Sequence, residues 1–182
     1  MAKAEPPVLS NDVLLQAVAF AARAHRGQIR KDGQTPYASH AFRVCLILRD
    51  IFGISDREAL AAALLHDTLE DTTTDYDDLA QQFGPRVAQF VVVLTKDSRL
   101  PEEERETAYC QGLAGAPWQV KACKLADIYD NLHDSCHLNA QQCSKTQRKA
   151  RRYLDALAQD MTAETRPAWD LVDRFLSEMK TR

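Results

Sequence analysis

Apolar residues along the chain recur at intervals of three and four, the spacing of helices that bury one face, and the alternation that marks half-buried strands is almost absent. The one β-looking stretch, Val91-Val92-Val93-Leu94, follows Phe83-Gly84-Pro85. Pro at a first helical position starts a helix there, with Val87, Phe90, Val91 and Leu94 on its apolar face. Helix starts are expected at Asn11, at a capping box Ser55-Asp56-Arg57-Glu58, at Thr74, at Pro101 and at Ser144-Lys145-Thr146-Gln147. Gly27 closes the first helix, Gly53 closes a second over about residues 38 to 51, and Thr72-Thr73-Thr74 interrupts a third. No repeat, low-complexity segment or linker interrupts this pattern. The expectation is an all-α chain, a single domain over residues 1–182, built as a bundle of about eight to ten helices.

Composition narrows the class. A chain of 182 residues that is 45% hydrophobic can bury one core, and a net charge of −3 gives no reason to expect a nucleic acid partner. The longest apolar run, Ala59 to Leu65, is well short of the roughly 20 residues that span a bilayer, so no membrane is expected as a partner. No apolar stretch follows Lys3, and the expectation is a soluble, cytoplasmic protein. Cys45, Cys110, Cys123, Cys136 and Cys143 are odd in number, widely spaced and free of any C-x-x-C pair, as reduced thiols would be.

The segment from Ala61 to Asp71 carries the most chemistry. Read as one helix at about 100° per residue, it puts His66, Asp67, Glu70 and Asp71 on one contiguous polar face, opposite Ala62, Leu65 and Leu69. Alone, that face is a solvated helix end. His40 and Asp127 change the reading, because two imidazoles and two carboxylates form a mixed nitrogen and oxygen set suited to Mn²⁺, Fe²⁺, Co²⁺ or Zn²⁺. Asp127, Asn131 and Asp134 share one helical face, with Leu125, Ile128 and Leu132 on an apolar stripe.

His40, His66-Asp67 and Asp127 follow the H…HD…D order of the HD superfamily. The text HRGQIRKDGQTPYASH, AALLHDTLEDT, FGPRV, LTK and KLADIYDNL resembles the hydrolase domain of RelA/SpoT proteins, strongest over about residues 11–155. It is more similar still to the stand-alone small alarmone hydrolases and their metazoan SpoT homologues. The resemblance implies an HD-domain helical bundle with His40, His66, Asp67 and Asp127 as ligands of Mn²⁺, and Glu70 and Asp71 positioning and activating the attacking water. It implies Arg30 and Lys31 at the nucleotide base, Asn131 at the nucleoside, and Lys96, Lys124 and Tyr153 at phosphate or ribose. The implied reaction removes the 3′-diphosphate of the small-molecule nucleotide (p)ppGpp, giving GDP or GTP and pyrophosphate. An adenine alarmone, (p)ppApp, the 2′-phosphate of NADPH and a catalytically silent nucleotide sensor stay open as alternatives, as does a homo-oligomer. Ala41, Ile128 and Asp32 depart from the family's common residues at those positions, without touching a ligand.

Other residues read as structural. His133-Asp134 repeats the His-Asp doublet, but His133 points away from the Asp127 face, and His137 pairs with it at the surface. His25 suits the end of a helix. Lys145, Arg148, Lys149, Arg151 and Arg152 spread around a helix and read mostly as solvated, Asp75, Asp77 and Asp78 as charges at a helix start, and Trp118 and Trp169 as packing anchors.

Overall fold

Gly27, at a φ of +81°, ends the first helical segment, α1 (Asn11–Ala24), by turning the chain where an L side chain would be strained. The structure, a computed structural model, describes residues 11–135 and 138–179, so Cys136 and His137 lie outside the described residues. After α1, a loop is cinched by an isolated bridge between Ile29 and Pro36, the only β pairing among the described residues. Within it the Asp32 carboxylate accepts hydrogen bonds from the Gln34 and Thr35 amides at 2.9 Å. α2 (Ala38–Leu46) runs on into a π-helical turn, Ile47–Ile51, and together they fill the span expected from sequence.

α3 (Arg57–Leu65) is the middle of the molecule. Every residue from Ala59 to Leu65 is buried, so the helix is apolar all round and packs against α1, α2, α6 (Pro85–Leu94) and α8 (Trp118–Asp134) at once. Small Ala side chains let those neighbours approach closely, while Leu65 and Leu125, both fully buried, each contribute about 1.5–3 kcal/mol of burial free energy. α6 is helical through Val91, Val92 and Val93 with Pro85 at its start, as expected. α7 (Glu102–Ala114) and α9 (Ala140–Leu157) pack together, and α10 (Arg166–Met179) covers α8 and α9. Trp169 anchors that contact through Nε1–H to the Leu154 carbonyl at 2.9 Å, and Trp118 packs against the core.

Three expected starts move. Asp56, not Ser55, caps α3 by accepting the Ala59 amide at 2.8 Å. Asp75, not Thr74, caps α5 (Tyr76–Phe83) in a reciprocal box with Asp78. α9 begins at Ala140, capped by Asn139 with Gln142, ahead of the Ser144 signal. In each case an Asp carboxylate or Asn side-chain amide oxygen, a strong cap acceptor, wins over a nearby hydroxyl.

The single helix expected across Ala61–Asp71 is also corrected. α3 stops at Leu65, the chain turns through His66 and Asp67, and a separate turn, α4 (Thr68–Asp71), follows. His66 Nδ1 at 2.9 Å from the Ala63 carbonyl and Thr68 Oγ1 at 2.7 Å from the Leu65 carbonyl take up acceptors that a continuing helix would use. The polar groups therefore surround a buried corner instead of lining one solvated helix face.

Candidate metal centre

That corner meets α2 and α8. His40 from α2, His66 and Asp67 from the turn after α3, and Asp127 from α8 converge, and one ligand atom each from His40, His66 and Asp67 lie within 4.8 Å of one another. Asp67 Oδ2 is 3.6 Å from His40 Nε2 and 3.0 Å from His66 Nε2. Asp127 Oδ1 is 3.1 Å and 3.8 Å from the same two nitrogens.

The hydrogen positions follow from the partners on the far side of each ring. The Ala63 carbonyl only accepts, so His66 Nδ1 carries a hydrogen and Nε2 keeps its lone pair. The Asp130 carboxylate, 2.6 Å from His40 Nδ1, imposes the same tautomer on neutral His40. Two lone pairs and two carboxylates then face one another in a buried space, and His66 Nε2 has no hydrogen-bond partner. A cation resolves that arrangement, so the donor set fits a divalent metal ion. Burial opposes charge on His40, but hydrogen bonds to Asp127 and Asp130 push its pKa up to about 9. Burial likewise opposes ionisation of Asp67 and Asp127, yet His66 beside the first and Lys124 beside the second hold both below the usual carboxylate range.

A cleft of about 250 Å³ opens over the cluster. All twelve residues singled out from the sequence belong to the cluster or the cleft lining: the four converging groups, Glu70, Asp71, Arg30, Lys31, Asn131, Lys96, Lys124 and Tyr153. Glu70 Oε2 accepts the Lys96 amide at 3.0 Å, and burial raises the Glu70 pKa. Asp71 is raised too, by burial and then by the Asp67 charge. Tyr37 lies across this edge, donating to Asp67 Oδ2 at 2.6 Å, with Asp71 Oδ2 at 3.2 Å.

The cleft has two ends, set by α8. Lys124 and Asn131 sit about one turn either side of Asp127 on α8, about 10 Å apart along the axis. Both touch Asp127, at 2.7 Å and 2.5 Å. At the Asn131 end Arg30 pairs with Asp134 at 2.8 Å, reaches Asn131 at 3.3 Å, and lies 5.6 Å from the Tyr37 ring centroid. At the Lys124 end three ammonium groups gather, two of them over aromatic rings. Lys124 is 4.6 Å from the Tyr153 centroid, Lys96 is 5.1 Å from that of Tyr109, and Lys149 is 3.1 Å from Glu106 Oε1. Burial, and after it the Lys124 charge, lowers the Lys96 pKa, while Glu70 and Glu106 oppose that shift.

Several residues here escaped the sequence reading. Lys149 lines the cleft although its basic run read as solvated; Arg151 and Arg152 pair outward with Asp173 and Glu103. Asp134 belongs to the site by holding Arg30, whereas His133 stacks on Phe175 away from it. Tyr37, Tyr109, Glu106 and Asp130 carried no separate signal, Asp130 apart from its position three residues after Asp127. His25 is buried behind Tyr37, with its Nδ1 2.8 Å from Gln28 Oε1.

A helical bundle with two imidazoles and two carboxylates gathered where its inner helices meet is the arrangement of an HD domain. Residues 17–163 match the family described as HD domain, and the chain belongs to that family. It is 44% identical over 126 residues to the Danio rerio protein named guanosine-3′,5′-bis(diphosphate) 3′-pyrophosphohydrolase MESH1, covering 69% of this chain and 70% of that protein. Identity is also 44% over 122 residues to the Homo sapiens protein of the same name, covering 66% of this chain and 68% of that one. Among solved structures, one described as a metazoan ortholog of SpoT that hydrolyzes ppGpp superposes with a TM-score of 0.79 at 32% identity, over 92% of this chain and 97% of the other. The Listeria monocytogenes protein lmo0812 superposes at 0.68 with 27% identity, over 81% and 97%. No helix among the described residues is long and apolar enough to cross a membrane.

Proposed function

We propose that the protein is a metal-dependent 3′-pyrophosphohydrolase that converts (p)ppGpp to GDP or GTP and pyrophosphate. The observation that carries this reading is the buried convergence of His40, His66 and Asp67, with Nε2 lone pairs turned inward, beside the raised carboxyls of Glu70 and Asp71. The names of the relatives supply the substrate class. In this reading His40, His66, Asp67 and Asp127 hold Mn²⁺, which when bound polarises a phosphoryl oxygen and lowers the pKa of the attacking water.

The chain's own residues do the rest. Glu70 and Asp71 orient that water and accept its proton, a task suited to carboxylates whose pKa burial has raised. The water oxygen bonds to the phosphorus attached to the ribose 3′ oxygen as that P–O bond breaks; the 3′ oxygen takes a proton from solvent to become a hydroxyl, and pyrophosphate departs. Arg30, with Lys31 beside it, offers a planar guanidinium to the purine face, and Asn131 contacts the nucleoside. Lys96, Lys124 and Tyr153 meet phosphate or ribose at the cationic end, the two ammonium groups taking the anionic oxygens, and Lys149 adds charge there.

Incubation with ppGpp, ppApp and NADPH in the presence of Mn²⁺, with products separated by ion exchange, tests the reading. Pyrophosphate from ppGpp is the expected result. Orthophosphate from NADPH alone would assign a 2′-phosphatase, pyrophosphate from ppApp alone an adenine alarmone hydrolase, and binding without turnover a sensor.

A further inference from the structure

His40 and His66 owe their ring orientation to different kinds of partner. His66 leans on the backbone carbonyl of Ala63, at 2.9 Å, which no substitution removes. His40 leans on a side chain, Asp130, whose Oδ2 stands 2.6 Å from Nδ1 and which is only 2% exposed. We propose that Asp130 is a positioning residue for the metal centre: it accepts the His40 Nδ1 hydrogen, and Arg43 locks it in place so that His40 Nε2 is presented as a lone pair to the ion.

The geometry argues this from both sides of the carboxylate. Arg43 lies one turn beyond His40 on α2 and grips Asp130 bidentately, Nε to Oδ1 at 2.7 Å and Nη2 to Oδ2 at 3.0 Å. That fork supplies the counter-charge a buried carboxylate needs and leaves Asp130 as an acceptor only. With Nδ1–H committed, the ring's other nitrogen turns to Asp127 Oδ1 at 3.1 Å and Asp67 Oδ2 at 3.6 Å. A carboxylate behind a ligating imidazole also raises its basicity, and loss of such a partner costs about 10- to 100-fold in metal affinity. The network reaches the nucleotide end of the cleft, because Asp134 is shared between Arg43 at 3.2 Å and Arg30 at 2.8 Å.

This inference rests on the metal-holding part of the proposed function, so its test uses no nucleotide. Mn²⁺ titration by calorimetry should give a dissociation constant raised about 10- to 100-fold in Asp130→Ala. Asp130→Asn keeps an oxygen that accepts from Nδ1, and its affinity should fall between Asp130→Ala and wild type. Unfolding temperature is measured alongside: a lowered midpoint with unchanged Mn²⁺ affinity in both variants overturns the proposal in favour of a purely structural role. Should the variants fail to fold, the wild type still decides. In ¹⁵N-histidine-labelled protein loaded with diamagnetic Zn²⁺, His40 should keep a slowly exchanging hydrogen on Nδ1 and coordinate through Nε2. Coordination through Nδ1 overturns the proposal. A negative nucleotide assay with these results intact would count against the substrate and not against Asp130.

Discussion

Glu70 Oε2 accepts a hydrogen bond from the Lys96 amide at 3.0 Å, tying α4 to the loop after α6 and fixing one edge of the carboxylate beside the histidine and aspartate cluster. Its other oxygen is free to take a proton. Glu70→Gln preserves an acceptor for the Lys96 amide but removes the base, so kcat should fall by about 10² or more with metal content unchanged, read by steady-state kinetics with elemental analysis. Because burial raises the Glu70 pKa and the base must be ionised, activity should fall as pH drops while still above the ordinary carboxylate range. Loss of the metal in Glu70→Gln would make Glu70 a ligand.

Arg30 is held by Asp134 with its guanidinium at the cleft wall. Arg30→Ala should raise KM about 10- to 100-fold, the loss of a stacking and charged contact worth roughly 1–3 kcal/mol, with a smaller effect on kcat. A fall in kcat at constant KM would move Arg30 from binding to chemistry.

Glu106 is buried, and burial alone would raise its pKa, but the Tyr153 hydroxyl at 2.5 Å and the Lys96 and Lys149 ammonium groups bring it to about 2. A depressed carboxyl stabilises the fold above its unfolded pKa, near 4.3, and the contribution disappears as pH falls toward about 2. The shift corresponds to at most about 3 kcal/mol at neutral pH. Urea unfolding of wild type and Glu106→Gln at neutral pH and near pH 3 should show the difference shrinking at the lower pH; parallel losses would contradict the assignment.

His133 stacks on Phe175 outside the cleft. His133→Ala should leave kcat, KM and metal content within about two-fold of wild type, since its loss removes no group within reach of the reacting atoms. A large defect would reopen the choice between the two His-Asp doublets.

These residues also show what the linear sequence could and could not carry. Local signals are short-range and were readable: the three-and-four spacing that makes Val91 to Val93 helical, Pro85 at a helix start, and Gly27 at a turn. That His40, His66, Asp67 and Asp127 belong together was readable too, because the HD and KLAD blocks keep their order, and the four do converge. The break at His66–Asp67 was not, since periodicity assumes a continuous helix while side-chain bonds to the Ala63 and Leu65 carbonyls end it. Asp130 meets His40 across 90 positions of chain, and Lys149 turns inward only because α9 packs on α7 beside the cleft. Such pairings depend on which helix faces meet, and single-helix periodicity is silent about that.

Metal-dependent release of intact pyrophosphate from the 3′ position is followed in one time course, sampled into excess chelator and read by ion-exchange chromatography. Chelator-stripped protein should leave ppGpp untouched, and Mn²⁺ should restore hydrolysis better than Mg²⁺, because two imidazole ligands favour the softer ion. The predicted products are GDP and pyrophosphate in equal amounts. Orthophosphate as the first product, or hydrolysis that survives chelation undiminished, would contradict a metal-dependent 3′-pyrophosphohydrolase.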